Sequence, residues 1–260
     1  MSDAVASDEW TFFARIHPES VPISKPRSEV DATFDSLGVA YHLTLDIAQS
    51  QVIAAIRLSK VPPDISTLRN CVEASIRSEM DLIGYLFGGS FDVEMLGARN
   101  TQTGASVVFG ITIPALSDKR EYSGALTIPG ELLVAVGASV QTQAALAYFR
   151  EAVRIPVDTG FFCYRAIEAL LRAVVDVQGD VSGANWAAFR STLRIARDAV
   201  MFVKSHSDLP RHGAVSSISD EQRAKVLRIT DETIRRHLHW LTHDRSPLSD
   251  EFPVLLSDDT

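Results

Sequence analysis

Two adjacent residues suited to catalysis lie in the link from Ser205 to Gly213, which joins two arginine-rich helical patterns. Arg211 and His212 stand side by side there, between a proline and a glycine that favour irregular backbone. In metal-free RNA cleavage a histidine takes the proton of the 2′-hydroxyl while an arginine stabilises the charged transition state. The pair is therefore the candidate catalytic site. The alternative is that Arg211 caps carbonyls at a helix end while His212 turns the chain.

Basic residues precede this link at helical spacing. They fall four, three and seven residues apart, which predicts a basic ridge along one face of a single helix. A phosphate backbone could follow such a ridge, since neutralising contacts supply most of the affinity for nucleic acid. The alternative is an ordinary solvated face, partly paired with Asp198. The ridge comprises Arg190, Arg194, Arg197 and Lys204.

A third candidate is the pair of Arg165 and Glu168, which lie one helical turn apart and can form an ion pair. Two roles stay open for this pair. It can be a buried ion pair that fixes helix register, or it can line the same polar groove as Arg211.

His239 and His243 are also one turn apart, as in zinc-binding helices, but two histidines are too few ligands. We therefore predict no metal site and no cofactor. The sequence also lacks a phosphate-binding loop, a dinucleotide glycine fingerprint and a Gly-x-Ser-x-Gly elbow, which argues against several large enzyme classes.

Charge is unevenly distributed along the 260 residues, whose net charge is −8. Residues 1–159 carry 12 basic and 19 acidic side chains, residues 160–245 carry 13 and 10, and residues 246–260 carry none and four. The overall balance argues against nonspecific binding of nucleic acid by the whole molecule. The segment 160–245 is the part whose balance suits an anionic partner.

The sequence begins with acidic rather than basic residues, and no apolar run approaches the roughly 20 residues of a membrane span. We therefore expect a cytoplasmic protein with no membrane partner. Cys71 and Cys163 each lie within an amphipathic helical pattern, so we predict that both are reduced and mostly buried.

The hydrophobic pattern predicts an α+β fold with a β-rich N-terminal domain and a C-terminal bundle of four to five helices. Residues 10–16, 39–47 and 52–58 alternate with a period of two, and Asp64 or Ser66 is then expected to cap a helix. Residues 91–96 and 106–113 form a second hairpin around the loop at 99–104. After residue 130 the period becomes 3.6, and caps are predicted at Asp158 with Thr159 and at Ser219. We predict domains at 1–130 and 131–245, followed by a loosely held acidic tail at 246–260.

The C-terminal half resembles the HEPN superfamily of helical bundles, in particular the MauJ-like and ApeA-like proteins. The resemblance rests on three short segments: 148–152 (YFREA), 161–170 (FFCYRAIEAL) and 211–213 (RHG). It implies a four- or five-helix bundle that often dimerises. In active members it implies metal-independent RNA cleavage by an arginine and a later histidine with four to six residues between them.

This chain departs from that active pattern. Ser205, His206 and Ser207 occupy the positions where the arginine upstream of His212 should stand. Arg236 and His243 have six residues between them, but such spacings arise by chance in a chain with this many arginines. Many members of the superfamily are not catalytic.

Three functional hypotheses follow. The first is a cytosolic accessory protein that acts by binding or regulation, as a homodimer, with RNA or a protein as partner. The second is a metal-independent ribonuclease. The third is a structural subunit that recruits a protein partner through its N-terminal sheet.

Overall fold

In a computed structural model, the chain divides into two compact units, Met1–Ile111 and Thr112–Thr260. The structure describes residues 8–34, 38–110, 116, 129–176, 181–208 and 218–259. The predicted α+β class is confirmed, because the first unit contains a sheet and the second contains helices.

The first unit contains a six-stranded antiparallel sheet in the order β2-β3-β4-β1-β5-β6. One long helix, α1, lies between β4 and β5 in the chain. The elements are β1 (Asp8–His17), β2 (Lys25–Phe34), β3 (Val39–Ala48), β4 (Gln51–Leu58), α1 (Ile65–Phe87), β5 (Asp92–Asn100) and β6 (Ser106–Val108).

Helix α1 and one face of the sheet form the core of this unit. Alternate side chains of the strands, such as Phe12 and Leu43, are fully or almost fully buried together with Ile76 of the helix. Asp64, one of the two caps considered from the sequence, accepts a 2.6 Å bond from the Thr67 amide and so caps the first turn. The chain leaves the helix at Gly88, whose φ of 68° suits a residue without a side chain.

Strand β2 was not predicted from the sequence. It lies at an edge of the sheet and most of its residues are exposed, so it lacks the alternation that marks the other strands. Its charged side chains are typical of edge strands that must not pair with other proteins.

The second unit is helical. Its elements are α2 (Gly130–Gly137), α3 (Val140–Arg154), a 3-10 turn (Pro156–Asp158), α4 (Thr159–Val175), α5 (Gly183–Leu193), α6 (Arg197–Ser205), α7 (Asp220–Thr242) and a final 3-10 turn (Ser257–Asp259). Helix α4 packs against α3 and α7, and its buried side chains include Ile167, Leu170 and Leu171. Ser219 begins α7 with a capping box completed by Gln222, which confirms the predicted start of that helix.

Within the described residues, no single helix combines the length and apolar composition that a membrane span needs. The pair α2 and α3, bent by 101°, meets the criterion only when both helices are counted together.

Candidate functional site

The predicted catalytic pair, Arg211 and His212, lies outside the described residues, which resume at 218. Its role therefore stays a prediction. The other candidate residues are all described and can be placed in the helical unit.

The predicted basic ridge is wrong as a single helical face. Helix α5 ends at Leu193, Arg194 adopts a left-handed conformation with a φ of 53°, and α6 begins at Arg197. Because the chain turns between the two helices, Arg190 and Arg194 belong to α5 and its end, whereas Arg197 and Lys204 belong to α6. The four side chains do not follow one helix.

Arg194 is also engaged with the chain's own C-terminal segment. Its Nε donates to the Phe252 carbonyl oxygen at 2.6 Å, and its Nη1 pairs with Asp250 at 2.6 Å. The segment 246–259, which we call the tail, is therefore attached to the helical unit rather than loosely held. The prediction of a loosely held tail, which rested on its acidic residues, is wrong. The tail also contains the apolar Leu248 and Leu255, and both are buried.

Arg236 of α7 binds both the tail and the end of α5, and its side chain is buried within the helical unit. Its side chain is 3% exposed and donates to the carbonyl oxygens of Arg194 at 2.6 Å and Pro253 at 2.8 Å, while Glu232 accepts from its Nε at 2.7 Å. The guanidinium thus satisfies carbonyls at the end of α5 that no helical bond can reach. Arg236 is a structural residue, which removes it from consideration as the arginine of an Arg–His catalytic motif.

Arg165 and Glu168 meet on the surface of α4. Their Nη1 and Oε2 atoms are 3.1 Å apart, and the side chains are 45% and 28% exposed. The ion pair is therefore not buried, contrary to one of the two roles considered for it. The Arg165 guanidinium also lies 5.4 Å from the centre of the Tyr148 ring and donates to its hydroxyl, a contact that raises the pKa of Arg165.

These residues line a groove between α3 and α4, which we call the α3–α4 groove. It encloses about 200 Å³. Each side of the groove is a row of residues on one helix, spaced about one helical turn apart, and both rows include an alanine. The lining residues are Val140, Gln141, Ala144, Tyr148, Arg165, Glu168, Ala169 and Arg172. The groove offers apolar surface, a carboxylate, a phenol and guanidinium groups within one concave site.

A buried arginine that the sequence analysis missed lies where α3 ends and α4 begins. Arg223 of α7 is 4% exposed and donates to Thr159 Oγ1 at 2.9 Å and to the Val153 carbonyl oxygen at 2.8 Å. It satisfies the end of α3. The side-chain cap predicted from Asp158 at the start of α4 is wrong, since Asp158 makes no such hydrogen bond. Nothing local in the sequence signals the role of Arg223, because its partners lie about 70 residues away.

His237, also missed, is fully buried in α7. Its Nε2 lies 2.9 Å from Thr142 Oγ1, and the Thr142 hydroxyl donates to Ser139, so Nε2 acts as the donor. Burial, together with the charge of Arg245, lowers the pKa of His237 to about 4. Among the described residues neither its Nδ1 nor the buried Trp240 Nε1 has a hydrogen-bond partner.

His239 of α7 and His243, one residue beyond that helix, stack on each other. The ring centres of His239 and His243 are 3.7 Å apart, and burial lowers the pKa of His239. Across the described ranges, no three or more His, Cys, Asp or Glu side chains group closely enough to hold a metal ion.

The outer face of the sheet, where a protein partner was considered, carries exposed apolar side chains. Phe13 and Ile53 are paired across β1 and β4 and are 41% and 47% exposed. Paired charges surround them, including Arg57 with Glu9 at 2.6 Å. Recruitment of a protein partner through this sheet stays a prediction.

Comparisons with known proteins place both units in one family. Residues 10–109 match the family model described as "Domain of unknown function (DUF8168) N-terminal domain", and residues 131–242 match "Domain of unknown function (DUF8168) C-terminal domain". Searches of the curated proteins and of the solved structures found no match. Because the two matches together cover most of the chain, in the order of the two domains, the chain belongs to the DUF8168 family.

Proposed function

We propose that this protein acts in the cytoplasm by binding, as an accessory or regulatory protein, and that the α3–α4 groove holds an amphipathic helix of a protein partner. The observation that carries the proposal is the lining of the groove. Ala144 and Ala169 add little bulk, so another helix can approach closely. Val140, which is 74% exposed, adds apolar surface at one end. Tyrosine and arginine, the residues that dominate binding energy in protein interfaces, lie beside them.

The charges in the groove favour a protein over a nucleic acid. Glu168 lies 3.1 Å from Arg165, so a phosphate that approached the guanidinium would meet a carboxylate as well. A partner helix can instead place an acidic side chain toward Arg165 or Arg172 and a basic one toward Glu168. We therefore expect the partner to carry both charges beside an apolar stripe.

The resemblance to HEPN bundles supports this proposal, since many members of that superfamily bind without catalysis. The segments that carry the resemblance include Tyr148 and Arg165, which both line the groove. Ribonuclease activity at Arg211 and His212 is the competing proposal, and measurements of crosslinking and of RNA binding and cleavage distinguish the two.

Photo-crosslinking tests the proposal. A photoreactive amino acid replaces Ala144 in the groove, and a control chain carries it at Ala188, an exposed alanine of α5. We expect crosslinks to a defined protein from position 144 and not from position 188. A synthetic helix of the identified partner should bind the purified protein, and Arg165→Glu should weaken that binding at least tenfold. Equal crosslinking from both positions, or binding that ignores Arg165→Glu, would overturn the proposal.

A second measurement addresses RNA. We expect a single-stranded RNA oligonucleotide to show no binding or cleavage at low salt, where phosphate contacts are strongest. Cleavage that is lost in His212→Ala while binding persists would establish the ribonuclease and reject the binding role proposed here.

A further inference from the structure

The tail contacts α5, α6 and α7, and it contains a turn at 250–252 and the 3-10 turn at Ser257–Asp259. The Leu255 amide donates to the Arg194 carbonyl oxygen and the Ala196 amide donates to Leu255, both at 2.9 Å. The Leu248 amide donates to the Thr192 carbonyl oxygen at the same distance. Together with the Arg236 and Arg194 bonds to Pro253 and Phe252, these contacts form a binding site for the tail.

Side chains give this site its selectivity. Leu248 and Leu255 are 8% and 4% exposed, and the Phe252 ring packs 4.8 Å from that of His239. Ser257 donates to Asp198 at 2.9 Å. The tail thus fills the site with apolar anchors at spacings of four and three residues, and it meets a matching polar group near its end.

The connection between α7 and the tail is strained. Asp244 and Arg245 both have positive φ values, 51° and 53°, although neither is a glycine. Both residues are exposed. Such backbone costs roughly 1 kcal/mol or more for each residue and would relax if the connection were extended.

We propose that this binding site accepts the tail of a second copy of the chain, so that two chains exchange residues 246–259 and form a dimer. An exchanged tail makes the same contacts as the chain's own tail, because the sequence is identical. The extended connection also releases the strain at Asp244 and Arg245, which offsets part of the entropy lost on association. This dimer does not depend on the α3–α4 groove, so it can be tested separately from the proposed function.

The test uses cysteine pairs in the full chain with Cys71 replaced by serine. One chain carries Asp198→Cys and the other carries Ser257→Cys, the two positions joined by the 2.9 Å hydrogen bond. After the two are mixed at high concentration and oxidised, we expect a disulfide between different chains. A chain with both substitutions, kept dilute, should form the bond within itself and so shows that the positions can react. Asp198→Cys mixed with Ser90→Cys, an exposed position in the sheet unit, is the background control.

Hinge variants supply the second arm. Asp244→Gly with Arg245→Gly removes the strain and should weaken dimerisation by about tenfold or more. Deletion of both residues prevents the tail from folding back and should make the dimer predominate in analytical ultracentrifugation. The proposal is overturned if the dilute double variant forms its internal disulfide while the mixture crosslinks no more than the control. A monomeric deletion variant that remains helical by circular dichroism would overturn it as well.

Discussion

At the level of single residues, three buried polar side chains help to hold the helical unit together. They are Arg223, Arg236 and His237. Each is at most 4% exposed. Burial of a charged or polar group is costly unless bonds replace those with water. The two arginines meet that requirement with backbone carbonyls at helix ends, while His237 avoids the cost of charge by staying neutral. These residues serve the fold, whereas Arg165 and Glu168 reach the surface.

His237 should make the stability of the helical unit depend on pH. Its pKa is about 4 in the folded chain against an ordinary value of 6.5. Between these values the unfolded chain binds a proton that the folded chain does not, so stability falls as the pH decreases from 6.5 toward 4. The loss should reach about 3 kcal/mol and then level off. Urea unfolding followed by circular dichroism at several pH values would measure it.

His237→Gln should flatten that dependence, because the amide can still donate to Thr142 but does not titrate. His243→Gln, at an exposed position one residue beyond α7, should keep it. An unchanged pH dependence in His237→Gln would show that another group is responsible.

The two cysteines should differ in reactivity. Cys163 is fully buried, and burial raises the pKa of its thiol to about 12, so almost no thiolate forms at neutral pH. Cys71 is only partly buried. We expect a thiol reagent to label Cys71 first and Cys163 only on unfolding, as mass spectrometry of the labelled folded protein would show. Equal labelling rates would contradict the burial of Cys163.

At the scale of the elements, helix ends in this protein are secured from a distance. Arg236 reaches the end of α5, and Arg223 reaches the end of α3, from a helix that follows both in the chain. Local caps such as Asp64 and Ser219 could be predicted from the sequence, because their partners are three residues away. The distant caps could not, since no local pattern links the residues.

Arg236→Ala should destabilise the helical unit by about 3 kcal/mol or more, because it removes the Arg236 donor from the Pro253 carbonyl, one donor from the Arg194 carbonyl and the buried partner of Glu232. Arg235→Ala is the matched control. Arg235 pairs with the same Glu232 but is 57% exposed, so its loss should cost about 1 kcal/mol or less. Chemical unfolding of the two variants gives the comparison, and similar losses would show that the Arg236 bonds contribute little.

The break between α5 and α6 explains why the sequence predicted one helix where the structure has two. The apolar positions Phe189, Leu193, Val200 and Val203 keep a helical spacing, and all four are buried as that stripe predicts. The break at Arg194 falls on a residue that rarely adopts a positive φ, with no glycine or proline to mark it. It forms because the tail and Arg236 bind the freed carbonyls, and those contacts lie about 40 or more residues away.

At the scale of the whole chain, the sequence predicted more of the fold than of the site. The strands of the first unit other than β2, and the helical period of the second unit, follow from hydrophobic spacing alone. The sequence also placed Arg165 and Glu168 together, since they are three residues apart. It could not supply Tyr148 and Ala144 on the facing helix, because which faces of two helices meet depends on packing across the bundle. The role of the tail was hidden for the same reason.

Each unit closes a hydrophobic core of its own, so the two should unfold in separable steps. Ile76 is fully buried in the sheet unit and Leu170 is fully buried in the helical unit. Replacement of either by alanine should cost roughly 2–5 kcal/mol, through lost burial and the cavity that remains. In differential scanning calorimetry we expect Ile76→Ala to lower one transition and Leu170→Ala to lower the other. If both substitutions lower one common transition equally, the chain unfolds as a single cooperative unit, and the division at residue 111 has no thermodynamic counterpart.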